Sequence, residues 1–470
     1  MPPKPARTIS EPIVKYVVAA LDATAILAAG FGALHWNANT VDWRLAGLVV
    51  LLGTVLGINF LHLAGAYRFQ SFARVDSALG RVLLGWMCTF GMLFLATRLF
   101  EPVSEADGPW AAAWFSAAFA LMGAVRFAVW RRMQAWGRAG RLAEVVAIVG
   151  AGPVAQRLLR SLTARQANLR VIGVYDDYAK QLPRSCMGYP IRGTVEDLVR
   201  DAREHHIDTV IVALPLARER ELVDALNRLC LVPVHVRLCP DAFGLRLGAL
   251  AASHIAGHTF LNVIDRPLSG WPSIAKEIED RVLGGLILAL ITPLMLAIAL
   301  MIKLDSPGPV LFRQKRYGFN NQLIEVFKFR TMYTHMTDAN AEQLTRRHDP
   351  RVTKVGAFLR RASLDELPQF LNVIRGEMSI VGPRPHALAA KAGSLLYQDA
   401  VKYYDARHRV KPGITGWAQV NGWRGETDTV EQIRKRVEHD LYYIENWSIL
   451  LDLKIIVRTI LGGFTGQHAF

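Results

Sequence analysis

Cysteine is scarce in this chain. Only Cys88, Cys186, Cys230 and Cys239 occur among 470 residues, and no two stand in CxxC spacing. That excludes a disulfide framework and a cysteine-rich zinc site, and it suits a reducing compartment. Acids are outnumbered as well, 40 Asp and Glu against 55 Lys and Arg, for a net charge of +15. Such a balance can mark a nucleic-acid binder. With 51% hydrophobic residues, basic loops facing an anionic membrane leaflet explain it better, so nucleic acid is not the expected partner and membrane lipid is. The opening MPPKPARTIS lacks the form of a cleavable signal peptide, so the first apolar stretch reads as a retained anchor. The length exceeds one ordinary core and predicts two or three units.

Charge is nearly absent from four windows, 14–34, 45–66, 82–100 and 111–129. Each has about the 20 residues a membrane helix needs. Asp22, His62 and Arg126 interrupt them, and are expected near span ends or facing the bundle interior. Lys4 and Arg7 precede the first window and Lys15 stands at its very start; Arg68, Arg74 and Arg81 lie between the second and third; Arg131, Arg132, Arg138 and Arg141 follow the fourth. The other two loops are poor in Lys and Arg. The positive-inside rule therefore puts the N-terminus and everything after residue 130 in the cytoplasm. A multi-pass membrane protein is expected, with a four-helix transmembrane bundle over 1–135 and the rest of the chain on the cytoplasmic face.

A fifth apolar run, 282–302, carries no charge but is flanked by cations on both sides, Arg281 before and Lys303, Arg313, Lys315 and Arg316 after. Thr292 and Pro293 sit in its middle. Proline removes a backbone donor and disfavours helix in the residue before it. Two readings stand: a spanning helix with a proline kink, or a helix–break–helix hairpin that enters and leaves by the cytoplasmic face.

Between these lies a stretch, 142–265, of alternating strand and helix patterns. It predicts an α/β Rossmann-like domain with a doubly wound parallel sheet. Gly150 and Gly152, followed by Ala155, open a helix after the strand VVAIV, and Asp176 and Asp177 end the next strand. The pattern is that of a dinucleotide turn, in which glycine backbone approaches a pyrophosphate. No YxxxK acid–base set follows it. NAD(P) binding and a purely structural or regulatory role both remain open for this domain.

In the last third, FRQKRYGFN and IEVFKFRTM read as two short strands around a turn, with Lys328 and Arg330 on one strand face. Residues 349–374 read as a loop and an amphipathic helix carrying Arg360, Asp365 and Glu366. Neighbouring acids on a helix diverge by about 100° and could bracket a phosphate or a metal. VGPRPH offers Arg384 from a proline-stiffened loop. VKPGITGWAQVNGWRGET offers Lys411, Gln419 and Asn421 from a glycine-rich loop able to cover a sugar nucleotide. An exposed helix face with ion pairs would also explain LDEL alone. The surrounding arginines and prolines favour phosphoryl transfer, with a carboxylate as nucleophile or metal ligand.

SPGPVLFRQKRYG, FKFRTM, DPRVTKVGAFLRRASLDELPQFLNVIRGEMSIVGPRPH and VKPGITGWAQVNGWRGET cover most of 276–470 in order. At these residues the chain resembles the bacterial polyprenyl-phosphate hexose-1-phosphate transferases, the monotopic phosphoglycosyl transferases. The three-part organisation resembles the long form of that family and its undecaprenyl-phosphate glucose phosphotransferases. The resemblance implies a mostly α catalytic domain over 276–470, anchored by a re-entrant helix whose family Ser-Pro break falls here on Thr292 and Pro293. It implies that Asp365 attacks the sugar-bearing phosphorus of a UDP-sugar and releases UMP, and that undecaprenyl phosphate then takes the sugar phosphate from the aspartate. Glu366, with Asp365, would hold Mg²⁺, Arg360 would orient Asp365, and Arg384 would contact phosphate. Lys328, Arg330, Lys411, Gln419 and Asn421 are candidates for the same substrate. UDP-glucose is the favoured donor, UDP-galactose the next, and a homodimer the expected assembly. The competing expectation is a membrane-tethered NAD(P)-dependent oxidoreductase or epimerase of nucleotide sugars, centred on Gly150 and Gly152.

Overall fold

A computed structural model describes residues 11–36, 43–68, 71–72, 75–100, 107–138, 144–164, 169–178, 184–215, 217–239, 252–255, 258–336, 349–386, 391–392, 395–423 and 429–463. Lys4, Arg7, Arg74, Arg141 and residues 424–428 of the glycine-rich loop lie outside them. Residues 1–143 and 144–470 are separate compact units.

The first unit holds four apolar helices, α1 (Glu11–Trp36), α2 (Trp43–Leu63), α3 (Val75–Phe100) and α4 (Asp107–Arg138). All four are long and apolar enough to cross a membrane. Small residues let them pack: a Cβ at Gly53 would run into Trp114, and Trp86 stands edge-on to Trp114 at 5.8 Å. Two of the charges that interrupt the apolar windows pair with each other. Asp22 on α1 receives two bonds from Arg126 on α4, at 3.0 and 2.8 Å, with both side chains buried. Turned outward, each would be a bare charge in hydrocarbon; facing inward, they staple the first helix to the last.

The second unit begins with the α/β domain. Its sheet runs in the order β3-β4-β2-β1-β5-β6-β8-β7. The strands are β1 (Glu144–Val149), β2 (Leu169–Tyr175), β3 (Ser185–Cys186), β4 (Tyr189–Gly193), β5 (Thr209–Val212), β6 (His235–Leu238), β7 (Ala252–Ile255) and β8 (His258–Ile264). The β4-β2-β1-β5-β6 core is parallel, and β8 and β7 add antiparallel strands at one edge. The unbroken apolar run of β1 is explained by burial on both faces. Val146 and Ile148 point to α5 (Pro153–Ala164), and Ala147 and Val149 to α6 (Val195–Glu204) and α7 (Glu219–Leu229).

The last part of the second unit follows directly. α8 (Trp271–Asp305) is one helix with Pro293 inside it, so helical geometry is not interrupted at Thr292-Pro293. Pro293 frees the carbonyl of Ala289, four residues back. The Thr292 hydroxyl donates to the neighbouring carbonyl, that of Leu288, at 2.6 Å. Such back-bonding and an internal proline bend a helix without ending it. Both halves of α8 rest on the same globule. Leu283, Gly284 and Ile287 lie against Val373 and Ile380, and Ile298 and Ile302 against Phe329 and Leu359. Between them Leu290, Leu294 and Leu296 stand exposed.

An antiparallel hairpin, β9 (Leu311–Tyr317) and β10 (Leu323–Phe329), matches the two expected strands. The single helix expected within 349–374 is in fact two, α9 (Lys354–Arg361) and α10 (Gln369–Arg375). Ser363 breaks it by adopting left-handed backbone, φ +54°, a conformation uncommon for residues other than glycine. Pro368 then caps α10. The chain continues through β11 (Ser379–Val381), a hairpin of β12 (Lys391–Ala392) with β13 (Leu395–Leu396), α11 (Tyr397–Ala400) and a 3-10 helix, Tyr404–Arg409. It closes with β14 (Gly413–Thr415), α12 (Trp417–Val420), α13 (Val430–Glu445) and α14 (Ile449–Gly463).

Candidate active site

The adjacent acids Asp365 and Glu366 lie in the break between α9 and α10, on a 3-10 turn, Leu364–Glu366. What fixes this turn is the approach of α9 to the end of β10. A Cβ on Gly356 would overlap the Thr331 carbonyl oxygen, so only glycine allows this packing. One turn on, Arg360 Nε donates to Thr331 Oγ1 at 2.8 Å.

The acids have unequal surroundings. Glu366 is held by two cations. Arg384 grips it with both terminal nitrogens, at 3.1 and 2.7 Å, and Lys328 Nζ adds a bond of 2.8 Å. Burial pushes the Glu366 carboxyl up, but the Arg384 and Lys328 charges outweigh it and hold it well below the usual range. The same pairing raises Arg384. Asp365 makes no hydrogen bond among the described residues; its nearest cation is Lys328, at 3.9 Å. Its side chain is only 13% exposed. Burial raises its pKa, the Lys328 charge opposes this, and the neighbouring Glu366 charge adds to the rise. Arg360 reaches Asp365 through its field, since its Nε bond goes to Thr331.

Asp365, Glu366, Lys328, Arg384 and Arg360 thus come together as the sequence suggested. Arg330 does not join them. Strand β10 ends at Phe329, so Lys328 and Arg330 do not share a face. Arg330 turns back to the C-terminal end of α8, donating to the carbonyls of Ser306, Pro307 and Ile302 and to the Ser306 and Thr334 hydroxyls. There it satisfies carbonyls a helix end leaves open. Lys411 pairs with Glu277 at the base of α8, at 2.7 Å. Asn421 bonds Trp417 O and receives Arg458; Gln419 Nε2 reaches Ile414 O, while its Oε1 is buried without a partner among the described residues.

Sequence reasoning does not single out Arg316, on β9, as a site residue. Its Nη1 donates to Pro385 O beside Arg384. Burial and the Arg384 charge lower its pKa to about 10. Its one signal is its place in RQKRYG, three basic residues within six, only one of which the hairpin turns to the Arg384 loop.

The glycine turn of the α/β domain forms as expected: Gly150 has φ +98°, and a Cβ there would press on Ala213 O. Space is open at Gly152. The turn's Ala151 N–H, however, already donates to Asp176 Oδ2, at 2.8 Å. A carboxylate of the chain itself occupies a donor that a pyrophosphate would use.

A buried carboxylate without a hydrogen bond among the described residues thus stands beside a cation-clamped one, on a unit carrying a long apolar helix. Residues 271–466 match the family described as Bacterial sugar transferase, and residues 62–240 match a CoA-binding domain. An undecaprenyl-phosphate glucose phosphotransferase of Komagataeibacter xylinus is 46% identical over 332 residues, 70% of this chain and 61% of that protein. A UDP-glucose:undecaprenyl-phosphate glucose-1-phosphate transferase of Escherichia coli is 44% identical over 69% of each chain. One of the same description from Xanthomonas campestris is 33% identical over 94% of this chain and 92% of its own. The chain belongs to the polyprenyl-phosphate hexose-1-phosphate transferases, a family of membrane phosphotransferases.

Proposed function

We propose that the protein transfers hexose 1-phosphate from a UDP-sugar, UDP-glucose first among them, to undecaprenyl phosphate, the first step of an exopolysaccharide, capsule or O-antigen. The observation that carries this is the inequality within the acid pair: Glu366 is spent on Arg384 and Lys328, while Asp365 keeps its lone pairs. An oxygen of Asp365 attacks the sugar-bearing phosphorus, and the bond from that phosphorus to the bridging oxygen breaks. UMP leaves with the bonding electrons, and the sugar phosphate rests on the aspartate as an acyl phosphate. A phosphate oxygen of undecaprenyl phosphate attacks the same phosphorus; the aspartyl–phosphorus bond breaks and the carboxylate is restored. Arg384 and Lys328 set their charges against the phosphate oxygens. Arg360 favours the ionised, attacking form of Asp365 through its charge.

Mg²⁺ binds through one or two carboxylates together with substrate phosphates. Asp365 and Glu366 fit that need: among the described residues Asp365 has no competing bond, and Glu366 Oε2 accepts only one, from Arg384. The ion would neutralise charge on the diphosphate. UDP-sugars are cytoplasmic and the lipid phosphate lies at the inner leaflet. A re-entrant α8 brings the acid pair to that surface, a reading supported by both halves of α8 resting on one globule with its middle exposed. The test is UMP release from a panel of UDP-sugars with undecaprenyl phosphate. Release with UDP-glucose, lost in Asp365→Asn, is expected; comparable turnover in that variant excludes this chemistry.

A further inference from the structure

The 3-10 helix Tyr404–Arg409 touches two things at once. Its inner face carries Tyr404 and Arg407, three residues apart and therefore aligned in a 3-10 helix. Arg407 is wholly buried. Its Nε and Nη2 bind Asp440 of α13 at 3.0 and 2.6 Å, and Nη2 also donates to the main-chain oxygen of Arg384, at 2.7 Å. Its Nη1 lies 2.8 Å from His386 Nδ1, which must accept because a guanidinium can only donate. The Tyr404 hydroxyl meets the same nitrogen at 2.7 Å. This helix is thus the floor under the loop that aims Arg384.

The other side faces the α/β domain. Asp405 Oδ2 accepts from Arg203 at the end of α6, at 2.7 Å, and from Asn321 of the hairpin turn, at 3.0 Å. Tyr403 enters the helix with left-handed backbone, φ +64°, and its hydroxyl donates to Asn227 of α7 at 2.9 Å. Arg409 leaves it by donating to Asp265 O at 2.9 Å. Asn320 Nδ2, also from a left-handed residue, closes the end of α6 on Ala202 O. Strained backbone persists where surroundings hold it, and here part of the hold comes from the other domain.

We propose that this helix couples the α/β domain to catalysis, with Arg203, Asp405 and Arg407 acting as positioning residues for Arg384. The domain then sets how the donor's phosphates are received without binding them. The proposal rests on Arg384 serving the phosphotransfer reaction described above.

The Arg203–Asp405 pair allows a clean test, because both side chains are partly exposed, at 32% and 24%, beside a polar cavity of about 310 Å³ that leaves room for an exchange of charges. In full-length enzyme, KM for UDP-glucose in Arg203→Ala and in Asp405→Ala is expected to rise about fivefold, with the concentration of active sites unchanged. The double variant should be no worse than either single one, and the swap Arg203→Asp with Asp405→Arg should recover most of the loss. Unchanged KM in the single variants, or additive losses that the swap leaves in place, would overturn the coupling. Hydrogen exchange reads it without turnover. In Arg203→Ala the amides of Gly382, Arg384 and His386 should exchange faster, and unaltered protection there refutes the proposal. A parent enzyme that releases no UMP, with exchange responding as expected, would instead count against the phosphotransfer reading alone.

Discussion

Two turns in this molecule carry motifs that suggest phosphate chemistry, and they differ in which polar atoms they leave free. At Gly150–Gly152 the backbone has the dinucleotide form, yet Asp176 has taken the Ala151 N–H. At Leu364–Glu366 the bonds are arranged the other way. Glu366 absorbs the grip of Arg384 and the bond of Lys328, and Asp365 beside it is left without a hydrogen bond among the described residues. Motif shape is therefore a weaker guide to chemistry than the question of which polar atoms the fold leaves unsatisfied.

The largest effect, after loss of Asp365 itself, is expected from Arg384→Ala. It removes the bidentate partner from a buried Glu366 and, in the proposed reaction, a cation from the donor's phosphates, and kcat/KM should fall by at least about 100-fold. A fall under about threefold would mean that the clamp is only structural.

A smaller effect sharpens the contrast between the two acids. As the proposed nucleophile, Asp365 must be ionised to attack. Burial raises its pKa above the ordinary aspartate value, so kcat/KM should decline as pH drops through a value higher than 3.8. Lys328 is a charge that lowers that pKa, so Lys328→Met should move the acid limb to higher pH. A limb that stays put or moves down contradicts the assignment of Asp365 as the titrating nucleophile.

The smallest effect lies at the other turn. Calorimetry with NAD⁺ and NADP⁺ should give no binding heat at sub-millimolar concentration, because Asp176 competes for the turn. Tight binding would break the comparison and revive the oxidoreductase alternative.

Much of this organisation was legible from periodicity. Charge-poor windows marked the four helices of the first unit, and unbroken apolar runs marked the parallel strands, because both signals come from burial that extends along the chain. The site was legible in part. Asp365, Glu366, Lys328 and Arg384, which the structure brings together, each stand in a short motif. The break at Ser363 was not visible, since nothing between Arg361 and Leu367 is a glycine or a proline. Arg330 misled because the strand ends one residue before it. Arg407, His386 and Asp440 could not be assembled from sequence at all. They lie on separate segments, and only tertiary packing makes their charges meet.

The most direct measurement is the intact mass of purified enzyme after incubation with UDP-glucose in the absence of undecaprenyl phosphate. A hexose-phosphate adduct that forms with release of UMP, maps to Asp365, disappears on adding the lipid phosphate and is absent from Asp365→Asn is the predicted result. UMP formed only when the lipid phosphate is present, with no adduct at any time, would mean direct transfer and would contradict the nucleophilic role of Asp365.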